Sequence, residues 1–268
     1  MDNSKRDPPP DYDLSERQQQ MAMAKKMEME QIRYSAPSII SDPAIPTLHD
    51  DGPFHPSRSL RIHAHGIGLV RLPLPSGEPE IPVYNTDGSL AYLSKRRRRF
   101  SGDAVLSHPK LGQLVSTSYF FGPNNDPIIR LLQAPDPEAT AIRVSGRWTS
   151  RSTSFVTPLG RAFEWSYAKR RDARGRKVNL LVLKRTDGDA GRGRGKVIAQ
   201  LVRGDETRTP GSSRSSAGNG GELLLDRDAG EALDEALIVA TCLLMLKREI
   251  DRRRMLQMAV IAAAVSGA

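Results

Sequence analysis

The sequence predicts a mainly β protein, a closed or nearly closed antiparallel sheet of about ten to twelve short strands around one C-terminal helix. Three observations lead there. Ala236–Leu246 (ALIVATCLLML) is apolar in every direction when wound as a helix, and a helix with no polar face must be buried on all sides. From about residue 60 to 225 the chain is a succession of short β-like runs broken by Gly, Pro, Asn and Asp, the pattern of an all-β sandwich or barrel. That region offers almost nothing helical to cover the C-terminal segment. A barrel that buries the helix, while the helix fills the barrel, satisfies both halves of the pattern.

Taken in order, residues 1 to about 58 form a Pro-containing tail, with Pro8–Pro10 and scattered prolines from Pro37 to Pro56, a composition that disfavours a packed core. Within it Ser15–Tyr34 has helical character but no clean apolar stripe. The domain is expected from residue 59 to 268. Leu60–Leu72 reads as a strand or bent hairpin. Ile81–Leu93 is the best hairpin, two arms about Asn85-Thr86-Asp87-Gly88, with Asp-Gly suited to a turn that needs positive φ. Phe100–Leu106 and Gln113–Phe121 pair about a turn, and Ile128–Leu132 follows. Ala141–Thr149, Ser154–Val156, Arg161–Tyr167, Val178–Lys184, Lys196–Arg203 and Leu223–Leu225 complete the strands.

The helix is expected to start at Ala229, where Asp228 and Glu231 have capping-box spacing, and to run to residue 254. Its apolar part is too short for a bilayer, which needs roughly twenty residues, and Lys247–Arg254 (KREIDRRR) puts charges where a span would continue. No transmembrane segment is therefore expected. Met255–Val265 (MLQMAVIAAAV) lies beyond that flank, as a helical extension, a further strand or a dimer contact. A helix lying on one face of a two-sheet sandwich, leaving Met255–Val265 for a partner, is the alternative architecture.

The chain has 268 residues and a formal net charge of +9. About three net negative charges fall in the first sixty residues, leaving roughly +12 for the remainder. That balance suits an anionic partner: acidic membrane lipid, nucleic acid or an acidic protein. The single cysteine, Cys242, lies in the apolar helix, which excludes an intramolecular disulfide and a multi-cysteine zinc site and fits a reducing compartment. The N-terminus shows no apolar signal region. A cytoplasmic or nuclear location, with peripheral attachment to a membrane as one possibility, is the expectation.

The sharpest charge feature is Lys95, Arg96, Arg97, Arg98 and Arg99, directly after the best hairpin. Guanidinium groups bind phosphate bidentately, so this run is a candidate anion or lipid site; a solvated loop and a nuclear-import signal are the competing readings. A second basic group starts at Lys169, Arg170 and Arg171 and runs to Lys177, in what reads as a long hairpin loop. Ser101 follows Arg98-Arg99-Phe100 and is a candidate phosphosite, where phosphate would oppose anion binding. Thr209–Gly221 (TPGSSRSSAGNGG) is either a backbone-amide nest or a flexible surface loop. His63 and His65 share one face of a strand but lack a third ligand at metal spacing, so no metal and no cofactor is expected. No nucleophile, acid pair or His–carboxylate arrangement of the kind catalysis requires stands out, and the chain is expected not to be an enzyme. Trp148, Phe155, Phe163 and Trp165 read as barrel packing.

Three stretches carry a resemblance: VYNTDGSLAYLS (Val83–Ser94), TSFVTPLGRAFEWSY (Thr153–Tyr167) and EALIVATCLLMLKREIDRRR (Glu235–Arg254). Over about residues 60–255 the layout resembles the tubby C-terminal-like superfamily, which includes tubby domains, phospholipid scramblases and the plant LURP-one-related proteins. The last two stretches, with Arg208–Gly221, are also similar to fungal proteins of this general type. The resemblance implies a roughly twelve-stranded barrel around a hydrophobic helix and binding at membranes: phosphoinositide recognition by tubby domains, lipid movement claimed for scramblases. No functional residue of either group carries over by position, and a palmitoylated cysteine cluster is absent from this sequence. A shared fold does not fix a shared activity. The expected function is a non-enzymatic binding module that meets acidic phospholipid through a basic rim. A nucleic-acid or nuclear interaction domain using the same clusters is the alternative, disfavoured by an aromatic content of 5%. Protein partners are not indicated by the sequence.

Overall fold

The structure, a computed structural model, describes residues 54–68, 79–97, 102–120, 125–146, 150–172, 174–187 and 195–266. All of them belong to one compact unit, Ala44–Ala268. Its strands are β1 (Pro56–Ile62), β2 (Glu80–Asn85), β3 (Leu90–Arg96), β4 (Ala104–His108), β5 (Gly112–Ser118) and β6 (Ile128–Leu131). They continue as β7 (Ile142–Ser145), β8 (Thr153–Val156), β9 (Ala162–Arg171), β10 (Lys177–Arg185), β11 (Val197–Arg203) and β12 (Gly221–Asp226). Each strand pairs antiparallel with the next in sequence, and β1 pairs with β12 to close the barrel. Two helices follow, a one-turn α1 (Ala229–Ala232) and a long α2 (Glu235–Ser266).

The closed sheet and buried helix decide between the two architectures in favour of the barrel. Ala236–Ala240 and Cys242–Leu246 are buried in the same core as the inward side chains of the wall, among them Leu60, Val83, Phe163, Trp165 and Leu223. The helix has no polar face because the wall surrounds it. Three polar side chains that enter this core are paired there. The Trp165 indole N–H donates to Thr241 Oγ1 at 3.0 Å, and the Thr241 hydroxyl is within 2.9 Å of the Leu237 carbonyl. The Thr153 hydroxyl meets Met245 Sδ at 3.0 Å. Phe155 and Phe163 stack with centroids 5.4 Å apart.

The expected strands are present, with shifted bounds. The barrel begins at Pro56, a few residues before the expected start. The hairpin about Asn85–Gly88 forms as read, with Gly88 at φ +83°. β9 and β10 run further than expected, so Lys169, Arg170 and Arg171 lie on a strand, and the supposed long loop shrinks to a tight turn. There the Asp172 carboxylate accepts from the backbone N–H of Arg174 and Arg176 and from Arg176 Nε. Strand ends at a barrel rim tolerate charges that a composition reading assigns to loops. The runs Val178–Lys184 and Lys196–Arg203 are apolar on both faces for a physical reason. Leu181 and Leu183 face the helix core, while Leu180 and Val182 join an outer cluster with Ala168, Val178, Val197 and Val202, on which Phe54 packs.

The helix start also differs. Asp228 makes no capping bond, because its carboxylate is held by Lys196. Leu233 is extended and breaks the helix, and the Arg161 guanidinium donates to the carbonyls of Glu231 and Ala232, ending α1. Asp234 caps α2 instead, accepting from the Leu237 N–H at 3.2 Å. Glu235 then sits in the first turn, where the helix dipole favours a carboxylate. It accepts from Arg58 Nε and from the Tyr92 hydroxyl, each at 2.9 Å. At the other end the helix does not stop at residue 254 but continues unbroken to Ser266.

Strand parity fixes which ends meet. Because all neighbours are antiparallel, the odd-numbered strands finish at one end of the barrel, the upper end, and the even-numbered strands finish at the lower. β12 delivers the chain to the lower end, so α2 rises through the barrel and emerges at the upper.

Candidate functional site

The upper mouth is where chemistry concentrates. As α2 leaves the barrel it carries five basic and two acidic residues in Lys247–Arg254, a run that reads in sequence only as a barrier to a membrane span. In the structure these side chains form a plug, several of them fastened to different parts of the rim. Lys247 Nζ lies 2.7 Å from both carboxylate oxygens of Asp251, which is fully buried, and 5.0 Å from the Tyr119 ring. Burial of the Lys247 ammonium outweighs that pairing and lowers its pKa. Burial likewise lowers the pKa of Arg248, which reaches the Gly146 carbonyl after β7. Arg252 bonds the Ser150 carbonyl at 3.0 Å and the Tyr167 hydroxyl at 2.8 Å, and Arg253 bonds the Ser215 carbonyl.

Glu249 is a second buried anchor. It accepts from Arg203 at the end of β11 at 2.8 Å and from the Gly218 N–H at 2.7 Å. Burial raises its pKa, but the charge and hydrogen bond of Arg203 more than reverse this, holding it below the ordinary glutamate value. The loop Thr209–Gly221 is thereby explained. Its Gly218 amide is taken by Glu249, the Thr209 hydroxyl bonds the Ile62 carbonyl at 3.2 Å, and Ala217 bridges Ile67. Its Gly218 end clamps the helix to the rim, while Pro210, Gly211 and Ser213–Ser215 lie at the surface.

Lys95 and Arg96 end β3 and Arg97 follows; Lys169, Arg170 and Arg171 end β9. Both groups therefore stand at the upper end, the end from which the helix emerges. They are not neighbours: β3 and β9 are six strands apart in a ring of twelve, on opposite sides of the mouth. Lys95 is offset by Glu80 at 2.9 Å. Arg96 lines a small cavity of about 40 Å³ with Lys247, which links the β3 group to the helix plug. Arg97, Arg170 and Arg171 are exposed. Arg98, Arg99, Ser101 and Trp148 lie outside the described residues, as do residues 1–53 of the expected N-terminal tail. The helix plug itself is the part of the site that sequence reasoning missed. The i,i+4 spacing of Lys247 and Asp251 is its one visible signal.

His63 and His65 have ring centroids 6.2 Å apart, and His63 meets Tyr84 edge-on at 5.7 Å. Among the described residues no three His, Cys, Asp or Glu side chains are grouped to hold a metal. A cleft of about 340 Å³ on the outer wall between β1 and β2 is lined by Arg61, His63, Tyr84 and Glu222 among others. Cys242 is fully buried and its thiol is pushed up to about 12 by loss of solvent. Among the described residues no helix is long and apolar enough to cross a membrane. No family model, curated protein or solved structure matches this chain.

Proposed function

We propose that the protein is a non-enzymatic module that binds acidic phospholipid peripherally through the upper rim of its barrel. One observation carries this reading. The strand ends bearing Lys95–Arg97 and Lys169–Arg171 open at the end from which the cationic stretch of α2 emerges. A cationic ring is the complement of an anionic leaflet, and each basic residue near such a surface contributes about 1 kcal/mol. The layout likeness to tubby C-terminal-like proteins supports the same reading. The exposed cations Arg97, Arg170 and Arg171 are its principal contacts, with Lys95, Arg96, Arg98, Arg99 and Lys169 completing the candidate set.

The test is co-sedimentation of the full chain with neutral, phosphatidylserine and phosphoinositide vesicles at low and high salt. Binding to the anionic vesicles at low salt is expected. Replacing Arg97, Arg170 and Arg171 together by Ser should weaken it by about 3 kcal/mol, roughly a hundredfold. No binding to any anionic vesicle at low salt would overturn the proposal. A parallel gel-shift titration addresses nucleic acid, the competing anion. Single-strand binders stack bases on exposed aromatic side chains. Phe120, 53% exposed beyond β5, is the aromatic among the exposed large apolar residues described.

A further inference from the structure

Beyond the mouth, α2 continues as Met255–Ser266 without a charged residue. Met255, Leu256, Met258, Val260 and Ile261 are 38–69% exposed, an unusual run for a protein surface, which rarely shows a contiguous apolar patch. At about 100° per residue these five side chains point to all sides of the helix. A second copy of the chain, or a groove on another protein, would cover one stripe and leave the rest in water. A lipid phase covers the exposed side chains whichever way they point, while Gln257 keeps its bond to the Gly68 carbonyl at the mouth. At 1.5 Å per residue the extension is about 18 Å long, close to the ~15 Å that one leaflet contributes to the hydrocarbon core. At its base stand the exposed rim cations Arg97, Arg170 and Arg171, at the level where lipid headgroups would lie, and basic residues with apolar stems favour that boundary.

We infer that the C-terminal extension of the central helix inserts into one leaflet of an anionic bilayer, with the exposed rim arginines Arg97, Arg170 and Arg171 seated among the headgroups. The inference rests on the phospholipid reading above and adds an apolar anchor to it. Rim charges alone give binding that high salt abolishes; an inserted helix leaves a component that survives salt.

The experiment places an environment-sensitive fluorophore on Val260→Cys in the full chain. Cys242 is fully buried, so the introduced thiol labels selectively. Leu159→Cys, in the 81% exposed turn between β8 and β9 at the opposite end of the barrel, is the control. Vesicles of phosphatidylcholine with phosphatidylserine carry bromine deep in the acyl chains as a quencher. The expected result is a blue-shifted, bromine-quenched signal from position 260 and an unchanged aqueous signal from position 159. A Val260→Asp/Ile261→Asp variant, altered outside the barrel, should lose salt-resistant partitioning by about tenfold or more. Co-sedimentation with an aqueous signal at 260 would overturn insertion while leaving the rim reading standing. Absence of co-sedimentation would overturn both. A blue shift that grows with protein concentration in the absence of vesicles would assign the extension to a second copy instead.

Discussion

Arg203 and Glu249 illustrate how much of this molecule is decided by single residues at the mouth. Both are nearly fully buried, and their pairing neutralises two charges that would otherwise be stranded beside the apolar core. Removing one partner of a buried pair leaves an uncompensated charge and costs about 3–5 kcal/mol, whereas replacing both by apolar groups costs far less. Urea unfolding of Arg203→Met should therefore show a larger loss than Arg203→Met combined with Glu249→Leu. If the double variant were the less stable of the two, Glu249 would not depend on Arg203. The pair also sets an acid limb. Glu249 is depressed below its ordinary value of 4.5 in the folded state, so its contribution is fully present above that value and is lost as pH falls through the folded one. Glu249→Gln should be less stable at neutral pH and flatter below pH 4.5. These residues were not legible as a pair in the sequence, since they lie 46 positions apart on a strand and a helix.

At the scale of elements, the question is what holds α2 in register with the barrel. The loop before β12 does so by close approach at Gly218, whose φ is +74°. A Cβ there would lie 2.4 Å from Ile250 Cγ1 and 2.7 Å from the Leu246 carbonyl oxygen. Gly218→Ala is expected to lower Tm well beyond Gly88→Ala, which has a similar φ but open space around it. The left-handed conformation costs both variants about 1 kcal/mol, and the clash is added at one alone. Equal Tm shifts would mean that the loop does not clamp the helix. The strands themselves were largely legible. Val83–Ser94 announces its hairpin through Asp87-Gly88, and the doubly apolar runs in β10 and β11 announce strands covered on both faces. Misreadings fell at element ends. Lys169–Arg171 reads as loop because charge is the local signal, yet β10 pairs with it across the barrel wall. Asp228 reads as a cap, yet Lys196 reaches it from 32 positions away.

For the whole molecule, the apolar wall and the apolar helix are each insoluble as free surfaces and complete only together. A chain ending at Leu233 should fail to fold: its amide NMR spectrum is expected to lose dispersion, and dye binding to rise as apolar surface is exposed. A dispersed spectrum from that truncation would show that the barrel stands without its helix. The same dependence explains what the sequence determined by itself. An eleven-residue run apolar on all sides, with no other helix to cover it, requires an enclosing sheet, and short strands at turn spacing supply one. Burial of apolar surface is a near-local property of composition and period, so the barrel and its filling helix follow from the chain read in order. Tertiary structure alone decided where the charges stand. That β3 and β9 end on one rim depends on strand parity and on β1 closing against β12. That Lys247–Arg254 is a plug rather than a solvated flank depends on seven different partners folding to meet it. Position in space is a sum over every strand between, and no window of sequence contains it.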